Sequence, residues 1–537
     1  MSARALARGR LVFPILAAMA ACAGPEAEDV DIDAPASEPE VRPDTPGNNL
    51  LFNFDRGDLV EFFDSPGGGF RVHFTRDGEH AVPADDDDSS GTPDFVEEVA
   101  GVYDDVLAFY TNDLGFRPPV GDADIADNGG DARFDVYLVD FGGSADGNFS
   151  QDACEGEICA GFMTQENDYM GYGYPSTLYA NQVLGSHEFF HAVQAAYDVD
   201  QGSVLAEGTA VWATEQWDPS LDDFEGFIKG YFDNTDRPID EPLPGPADPF
   251  SYGSAIFFQF LEEAYGAGTV RSLIEKTEDG AGGIANPYWL EVLGPMLEAD
   301  KGVTFEAAYA EFARWNLFTN DFADPAEGYA ASDGYPRVRL ESSALPLQDP
   351  ELRLYRASSQ YYSFDPAGRT SLTAAVVPTT TQPDATSDLV VYVVSQTGAS
   401  GGYTRTVTTL ADVGAGTESV DLTGAEVAIV VVVNPAAAGD SKKPSLCVGT
   451  VDEVAACKDA LGATGAGGGG GGAPGDDDGG DSETDGGSAD DGADDGCGCG
   501  IAGADGPRST FAAGLMGLAY LFARRRRRAA AATKSAR

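Results

Sequence analysis

Basic residues are scarce in this chain of 537 residues. The sequence has 32 Lys and Arg against 89 Asp and Glu, which gives a formal net charge of -57 at pH 7. A protein that binds nucleic acid needs a basic surface, because its cations displace the counterions of the phosphates. We therefore expect no nucleic-acid partner. The acidity by itself indicates a well-solvated surface and does not define a fold.

The last forty or so residues also lack an apolar run long enough to span a membrane. The apolar stretch at 511–523 is shorter than the roughly 20 residues that a membrane-spanning helix needs. It follows the sequence GCGCG and precedes an arginine block at 524–528. Residues 497–537 therefore resemble a C-terminal sorting tail of the MYXO-CTERM type, with a short apolar helix. The resemblance implies that sorting machinery processes the tail, and that the protein is attached at the cell surface or released.

Residues 1–22 have the layout of an export signal. Arg4, Arg8 and Arg10 precede the apolar run LVFPILAAMAA, and Cys22 follows it. The Ala-Ala-Cys junction resembles a bacterial lipoprotein cleavage box, which implies a lipid on Cys22 that holds the protein at a membrane. Ordinary signal-peptide cleavage is the alternative. Either way, we expect the protein outside the cytoplasm, at the outer membrane or cell surface.

The few cysteines are placed as if for disulfides. The chain has 7 Cys, among them the close pairs Cys154/Cys159 and Cys447/Cys457. Neither pair has further His or Cys at zinc-site spacing, so we expect each to form a disulfide. This pattern suits an oxidising compartment.

The composition divides the chain between its ends into four parts. Residues 23–49, acidic and rich in proline, are expected to form an unfolded tether. Residues 50–345 alternate helical and strand patterns and are predicted to form an α+β domain that carries every catalytic candidate. Residues 346–457, with the runs LVVYVV and VAIVVVV, predict a small β-sandwich accessory domain. Residues 458–496 are mostly Gly, Asp, Ala and Ser and predict a flexible linker.

Histidine is scarce as well, yet two of the 4 histidines stand four positions apart in SHEFFHAVQAAYD. No proline interrupts this stretch, so we predict a helix from His187 to Tyr197. A helix puts residues four apart on one face, where His187 and His191 can present two imidazoles to one metal ion. Glu188, one step round the helix, can act as general base on a metal-bound water. The alternative is a pair of histidines satisfied inside a helix core.

A catalytic zinc ion needs three protein ligands and an open position for water. The metzincin pattern requires Gly at position 194 and His at position 197, but the chain has Gln194 and Tyr197. That class is excluded. The remaining histidines, His73 and His80, lie far upstream, so the expected third ligand is a carboxylate.

The segment LAEGTAVWATEQW offers two carboxylates. Glu207 comes sixteen positions after His191, at the start of a second predicted helix. This order of HExxH followed by Glu resembles that of the gluzincin class of zinc peptidases. Glu215, two turns further along, is the competing ligand, and its alternative role is that of a surface carboxylate.

The resemblance extends beyond the motif. The segments FRVHFTRDGEHAVP, SGTPDFVEEVA, FDVYLVDF, QENDYMGYGYP, SHEFFHAVQAAYD, EGTAVWATEQW and SYGSAIFFQFLEEAYG are similar to a family of myxobacterial surface metalloproteases with MYXO-CTERM tails. The resemblance covers about residues 60–270. It implies a gluzincin-like zinc metallopeptidase domain, with a mixed sheet and active-site helices.

Peptide hydrolysis also needs a second electrophile to stabilise the oxyanion of the transition state. No further histidine is close in sequence, so tyrosine is the expected residue type. Tyr252, in SYGSAIFFQF, resembles the tyrosine that precedes a helix in aminopeptidase-like gluzincins. Tyr172 and Tyr174 are alternatives, and a packed core aromatic is another interpretation of Tyr252.

The acidic run DDDSSGTPDFVE has the ligand spacing of an EF-hand calcium loop. Positions 1, 3, 5, 7, 9 and 12 are occupied by Asp86, Asp88, Ser90, Thr92, Asp94 and Glu97. Gly91 stands at position 6, and a predicted amphipathic helix follows. No helix is predicted before the loop, so only the loop resembles an EF-hand. We predict a structural Ca²⁺ site, with a solvated acidic turn as the alternative.

These features together predict a secreted or surface-attached zinc-dependent enzyme that hydrolyses protein or peptide substrates. Two other functions stay open. One is an inactive surface binding protein that keeps the metallopeptidase scaffold, although a scaffold has no need for Glu188 as a general base. The other is a metal-dependent hydrolase of a non-peptide substrate, which HExxH alone does not exclude.

Overall fold

The computed structural model describes most of the chain between its two ends. The described residues are 41–45, 50–243, 248–280, 286–350, 352–380, 382–398 and 403–466. The export signal with Cys22, most of the acidic tether, most of the linker and the sorting tail lie outside them.

The first sheet is mixed and confirms the α+β class. Its strands lie in the order β1-β2-β3-β5-β4. Their bounds are β1 Glu61–Asp64, β2 Phe70–Phe74, β3 Phe134–Val139, β4 Gly147–Glu155 and β5 Ile158–Glu166. The three inner strands are parallel, whereas the edge strands β1 and β4 pair antiparallel. The disulfide Cys154–Cys159 joins β4 to β5 across their hairpin.

Helices cover one face of this sheet and continue beyond it. They are α1 Asp94–Ala108, α2 Thr177–Gln194, α3 Ser203–Trp217, α4 Phe224–Phe232, α5 Pro249–Gly253, α6 Ala255–Tyr265, α7 Thr269–Thr277, α8 Trp289–Lys301 and α9 Phe305–Trp315. The apolar face of α1, which the sequence predicted, is buried at Val96, Val99, Tyr103 and Val106. These side chains share one core with β2, β3 and α2.

The helix that carries the two central histidines differs in its bounds from the prediction. It begins at Thr177, where the Ser176 side chain accepts a hydrogen bond from the Tyr179 N–H, and it ends at Gln194 rather than Tyr197. Gly185 therefore lies inside the helix. A Cβ atom at Gly185 would lie 3.3 Å from the Val102 side chain, so glycine allows α1 and α2 to approach closely.

The C-terminal part contains two further sheets that face each other. One has the order β11-β10-β13-β8-β6 and the other β12-β9-β14-β7. The bounds of the first are β6 Glu341–Ser343, β8 Ser358–Phe364, β10 Val390–Thr397, β11 Thr404–Thr409 and β13 Val427–Asn434. Those of the second are β7 Leu347–Asp349, β9 Ser371–Val377, β12 Val420–Asp421 and β14 Ser445–Gly449.

The central strand β13 is buried on both faces. Ala428, Val430 and Val432 belong to the core between the two sheets. Ile429 and Val431 alternate with them and belong to the core of the helical part. The sandwich is therefore not a separate accessory unit, because one of its sheets shares a core with the helices. Hydrogen bonds from the Tyr361 and Tyr392 hydroxyls to backbone carbonyls of α9, each 2.9 Å long, cross the same boundary.

A final helix, α10 Val451–Ala466, follows the last strand. The disulfide Cys447–Cys457 ties it to β14, and Val454 packs against Ala375. The predicted start of the flexible linker at residue 458 is thus too early, since the helix continues to Ala466. The disulfide and the buried Val454 give this segment contacts that its composition does not indicate.

Part of the predicted tether is also structured. Arg42 is fully buried and forms ion pairs with Asp122, Asp135 and Asp152. A buried guanidinium is tolerated because it is paired with several carboxylates. Residues 41–45 therefore pack against the domain, which corrects the expectation that order begins near residue 50.

Within the described ranges, none of the helices combines the length and apolar character needed to cross a membrane.

Candidate metal centre

The centre is built on α2, whose helical period brings His187 and His191 together. Their ring centroids are 5.1 Å apart. Ligand atoms of His187, Glu188 and His191 all lie within 4.8 Å of one another, and all three side chains are buried. Residues one, two and five of the HEFFH motif therefore form a group that can hold a metal ion.

Glu207 completes this group from the neighbouring helix. Because α3 begins at Ser203, Glu207 lies in its second turn and faces α2. Its Oε2 atom is 3.0 Å from His187 Nε2 and 3.6 Å from His191 Nε2. Each imidazole thus directs its Nε2 atom towards the same carboxylate oxygen. Three ligand atoms that point at one place can bind a single metal ion.

The charges in this group depend strongly on one another. Burial lowers the pKa of His187. Burial also lowers the pKa of His191, but the carboxylates of Glu207 and Glu188 outweigh it and raise this pKa to about 9. Burial raises the pKa of Glu207, yet the two histidines outweigh it and hold this pKa below its ordinary value. The centre therefore keeps an ionised Glu207 that can bind a metal in place of an imidazole proton.

Glu188 is fully buried, and neither of its carboxylate oxygens accepts a hydrogen bond from another side chain among the described residues. Burial raises the pKa of Glu188 well above its ordinary value, and the charges of Glu207 and Asp146 add to this effect. A buried carboxyl group to which no side chain donates a hydrogen bond has a cost in stability. Groups of this kind occur where a protein needs a reactive acid or base.

Tyr252 lies beside the two histidines, in the short helix α5. Its ring stacks on that of His187 with a centroid distance of 5.5 Å. Burial raises its pKa, and the charges of Glu207 and Glu188 raise it further. Tyr172 and Tyr174, the alternatives from the sequence, use their hydroxyls elsewhere, since they donate hydrogen bonds to Glu166 and Asp146.

Glu215, the competing ligand, lies away from the histidines. It is eight residues after Glu207 on the same helix, and a rise of 1.5 Å per residue separates the two by about 12 Å along the axis. Burial raises the pKa of Glu215 to about 9, and nearby carboxylates, Glu225 first among them, add to this effect. Glu215 is therefore a protonated side chain at neutral pH.

The other two histidines take part in separate contacts. His73 Nε2 is 2.7 Å from Asp135 Oδ1, and its ring stacks on Tyr137. The Nδ1 atom of His80 accepts a hydrogen bond from the Asp140 N–H. The positions of His73 and His80 agree with the prediction that, of the four histidines, only His187 and His191 belong to the candidate metal centre.

The acidic loop before α1 forms a second group. Carboxylate oxygens of Asp86, Asp88 and Asp94 lie within 4.8 Å of one another. Gly91 has a φ of +92°, a backbone conformation that favours glycine at this position of the turn. Ser90 donates a hydrogen bond of 2.7 Å from its hydroxyl to Glu97, so these two also meet.

Thr92 is the remaining member of the predicted ligand set of the loop. Its backbone carbonyl accepts a hydrogen bond of 3.3 Å from the Ser90 hydroxyl. Position 7 of an EF-hand loop contributes a backbone carbonyl, so Thr92 offers the expected type of oxygen.

No family model matches the chain, and no curated protein does either. Among solved structures, aminopeptidase A of Legionella pneumophila in complex with aspartic acid has 11% identity and a TM-score of 0.31, over 70% of this chain. The chain spans 35% of the length of that aminopeptidase. A 4-O-methyl-α-glucuronidase with specificity for decorated arabinogalactans has 11% identity and a TM-score of 0.11, over 51% of this chain and 41% of that one. Both TM-scores are too low to indicate a shared fold.

A residue that the sequence did not reveal is Asp146, just before the edge strand β4. It is buried, and its charge contributes to the raised pKa values of Glu188 and Tyr252. It also lines a cavity of about 550 Å³ together with Glu79, Asp140, Glu166 and Asp168. Burial raises the pKa of Glu166 to about 7. Repulsion from these carboxylates disfavours a negatively charged group in this cavity.

Proposed function

We propose that the protein is a zinc-dependent peptidase of the gluzincin type, with His187, His191 and Glu207 as zinc ligands and Glu188 as general base and acid. One observation carries the proposal. Two imidazoles on one helix direct Nε2 at a single carboxylate oxygen, and a buried glutamate without side-chain partners lies beside them. A core pair of histidines does not need this arrangement.

The donor set suits zinc. Imidazole nitrogens and a carboxylate oxygen are preferred zinc ligands, and three protein donors leave a position open for water. When bound, zinc supplies Lewis-acid chemistry and makes a water molecule acidic near neutral pH. Glu188 would accept a proton from the attacking water at a carboxylate oxygen and would deliver it to the leaving amine.

Tyr252 is the proposed oxyanion partner. Its ring stacks on that of His187, and its hydroxyl has a hydrogen bond with Glu207, one of the proposed ligands. A tyrosine whose pKa is raised keeps its proton and can donate a hydrogen bond to a developing oxyanion. The surrounding carboxylates ensure this protonation state.

We expect the purified protein to cleave casein or a quenched-fluorescence peptide library, and ortho-phenanthroline to reduce cleavage to background. Stoichiometric zinc should restore it, because the ligands and the general base remain in place when the metal is removed. The measurement is the initial rate before chelation, after chelation and after zinc addition. Cleavage that persists in metal-free protein would refute the proposal.

Two alternatives predict different results in the same experiment. A surface binding protein on a metallopeptidase scaffold would bind zinc and cleave no peptide. A metal-dependent hydrolase of another substrate class would also leave peptides intact, but would cleave ester or amide test compounds. Glu188 is buried and no side chain donates a hydrogen bond to it, which favours an enzyme over a binding protein, since a scaffold gains nothing from this cost in stability.

The acidic loop is proposed as a structural calcium site. Calcium prefers several oxygen ligands, and the loop supplies clustered carboxylates of Asp86, Asp88 and Asp94. The loop leads directly into α1, where Glu98 accepts a hydrogen bond of 2.6 Å from Asn181 of α2. A cation that orders the start of α1 would therefore also stabilise the helix that carries the zinc ligands.

Calcium is expected to raise the melting temperature, because it binds the folded loop only. The gain is about 2.7 kcal/mol when free calcium is roughly 100 times Kd. Thermal unfolding in millimolar calcium and in EGTA measures the shift. Asp88→Asn should remove most of it, whereas Asp87→Asn, which changes an exposed neighbour outside the cluster, should retain it. Equal melting temperatures in calcium and EGTA would rule out the site.

Export and surface attachment are proposed from the two chain ends. The N-terminal signal with Cys22 and the C-terminal tail support membrane attachment and processing by sorting machinery, as in the myxobacterial MYXO-CTERM metalloproteases that the chain resembles. The two disulfides suit such an oxidising location.

A further inference from the structure

We propose that Gln194 is a positioning residue that fixes the ring of His191, so that His191 presents Nε2 to the metal. The inference rests on the proposed zinc site and extends it to a residue that contacts neither metal nor substrate. Gln194 is the last residue of α2 and is buried against α3.

The contact with the histidine is direct. Gln194 Oε1 is 2.8 Å from Nδ1 of His191. This nitrogen is the one that faces away from Glu207, because His191 Nε2 is on the side of that carboxylate. The hydrogen bond on one ring nitrogen thus sets the role of the other.

Two further hydrogen bonds fix which end of the amide faces the histidine. Gln194 Nε2 donates to the carbonyl oxygen of Ala206 at 2.8 Å and to the Thr209 hydroxyl at 2.7 Å. A carbonyl oxygen can only accept, so the amide nitrogen must lie on that side. The oxygen of Gln194 therefore faces His191, and Nδ1 must carry a proton and donate. Nε2, on the side of Glu207, is then the ring nitrogen at which a metal ion can replace a proton.

The same amide also connects the two helices that supply the ligands. Its acceptors, Ala206 and Thr209, flank Glu207 on α3, whereas Gln194 and His191 belong to α2. Gln194 therefore holds the second imidazole and the carboxylate in register with each other. Residues that orient a metal-bound histidine typically change metal affinity by 10- to 100-fold when removed, an order-of-magnitude range.

Zinc affinity of the full mature chain, measured by competition with a chromophoric chelator, tests the inference. Gln194→Met keeps the size of the side chain but has no strong acceptor, and we expect zinc to bind roughly 10- to 100-fold more weakly. Gln194→Glu restores the acceptor for Nδ1–H but loses the two donations of the amide nitrogen, so it should bind zinc more tightly than Gln194→Met and more weakly than the wild type. A merely structural role would give the opposite order, since a buried carboxylate packs worse than methionine.

A second pair of variants changes the site less, so that the inference can still be tested if the Gln194 variants misfold. Thr209→Val removes one of the two acceptors that hold the amide, and it should weaken zinc binding to a smaller extent. Thr214→Val is the matched control on the same helix, because its hydroxyl is equally buried but bonds Ala210 and Ser186 instead. Zinc affinity of this control should equal that of the wild type.

A spectroscopic measurement needs no variant at all. The chain has only 4 histidines, so ¹H–¹⁵N spectra of histidine-labelled, zinc-loaded protein can assign each ring. His191 should show a protonated Nδ1 with a slowly exchanging, downfield proton, and this signal should be lost in Gln194→Met.

The outcomes separate the inference from the proposed function. Failure of the wild type to bind zinc would refute the zinc site itself. Zinc binding with unchanged affinity in Gln194→Met, or a His191 ring protonated at Nε2, would refute the role of Gln194 alone.

Discussion

Glu188→Gln is expected to abolish peptide hydrolysis while zinc remains bound. The amide cannot accept a proton from water, and loss of a general base typically lowers kcat by roughly 10²- to 10⁴-fold. The substitution should not disturb the fold. Glutamine has nearly the same shape as glutamate, and no side-chain hydrogen bond to Glu188 is lost among the described residues.

The measurement combines peptide turnover with zinc content for each variant. Glu215→Gln is the matched control, since it changes another buried carboxyl group with a raised pKa, and it should leave kcat and KM unchanged. Hydrolysis at the wild-type rate in Glu188→Gln would exclude the proposed base. Loss of zinc in this variant would instead make Glu188 a ligand. Zinc content has to be measured because Glu188 lies close to both histidines.

The sequence predicted that His187 and His191 lie together because their positions depend only on local helix geometry. The four-residue spacing of His187 and His191 places both on one helix face whatever the rest of the fold does. The prediction of Glu207 depended in addition on a second helix that starts near this residue and packs on the first. The structure brings these residues together, and the choice between Glu207 and Glu215 becomes a matter of distance.

The remaining features depend on contacts that are remote in sequence. Asp146 and the amide of Gln194 act through neighbours on other elements, and no local pattern marks them. Arg42 lies in an acidic, proline-rich segment whose composition indicates disorder, yet its guanidinium is buried among three carboxylates 80 to 110 residues away. Composition measures the average tendency of a segment, and a single anchored side chain can override it.

For the C-terminal sheets, the sequence contains a signal that the prediction of a separate β-sandwich domain did not use. The run VAIVVVV in β13 is apolar at every position rather than at alternate ones. A strand with one solvated face alternates, whereas an unbroken apolar run indicates burial on both faces. The run therefore already argued against an independent sandwich and for a sheet covered by helices on its outer side.

Glu207→Gln is expected to remove zinc, with a loss of affinity above the roughly 100-fold that marks the upper range for outer-shell residues. Glu207 is the carboxylate that both imidazoles face, so an amide leaves the two histidines without an anionic co-ligand. Hydrolysis should fall with zinc occupancy and recover in part at high zinc concentration. The metal-free variant should also show a lower pKa for His191, because the charge of Glu207 is a main cause of its rise to about 9.

Zinc titration of Glu207→Gln and Glu215→Gln side by side decides between the two carboxylates. Glu215 is protonated at neutral pH and about 12 Å further along the helix, so its glutamine variant should bind zinc like the wild type. Equal affinities for both variants would remove Glu207 from the ligand set, and a loss confined to Glu215→Gln would transfer the role to that residue. A loss of zinc affinity in Glu207→Gln alone would support the two HExxH histidines and Glu207 as the zinc ligands. Glu188 would then serve in proton transfer and not as a ligand.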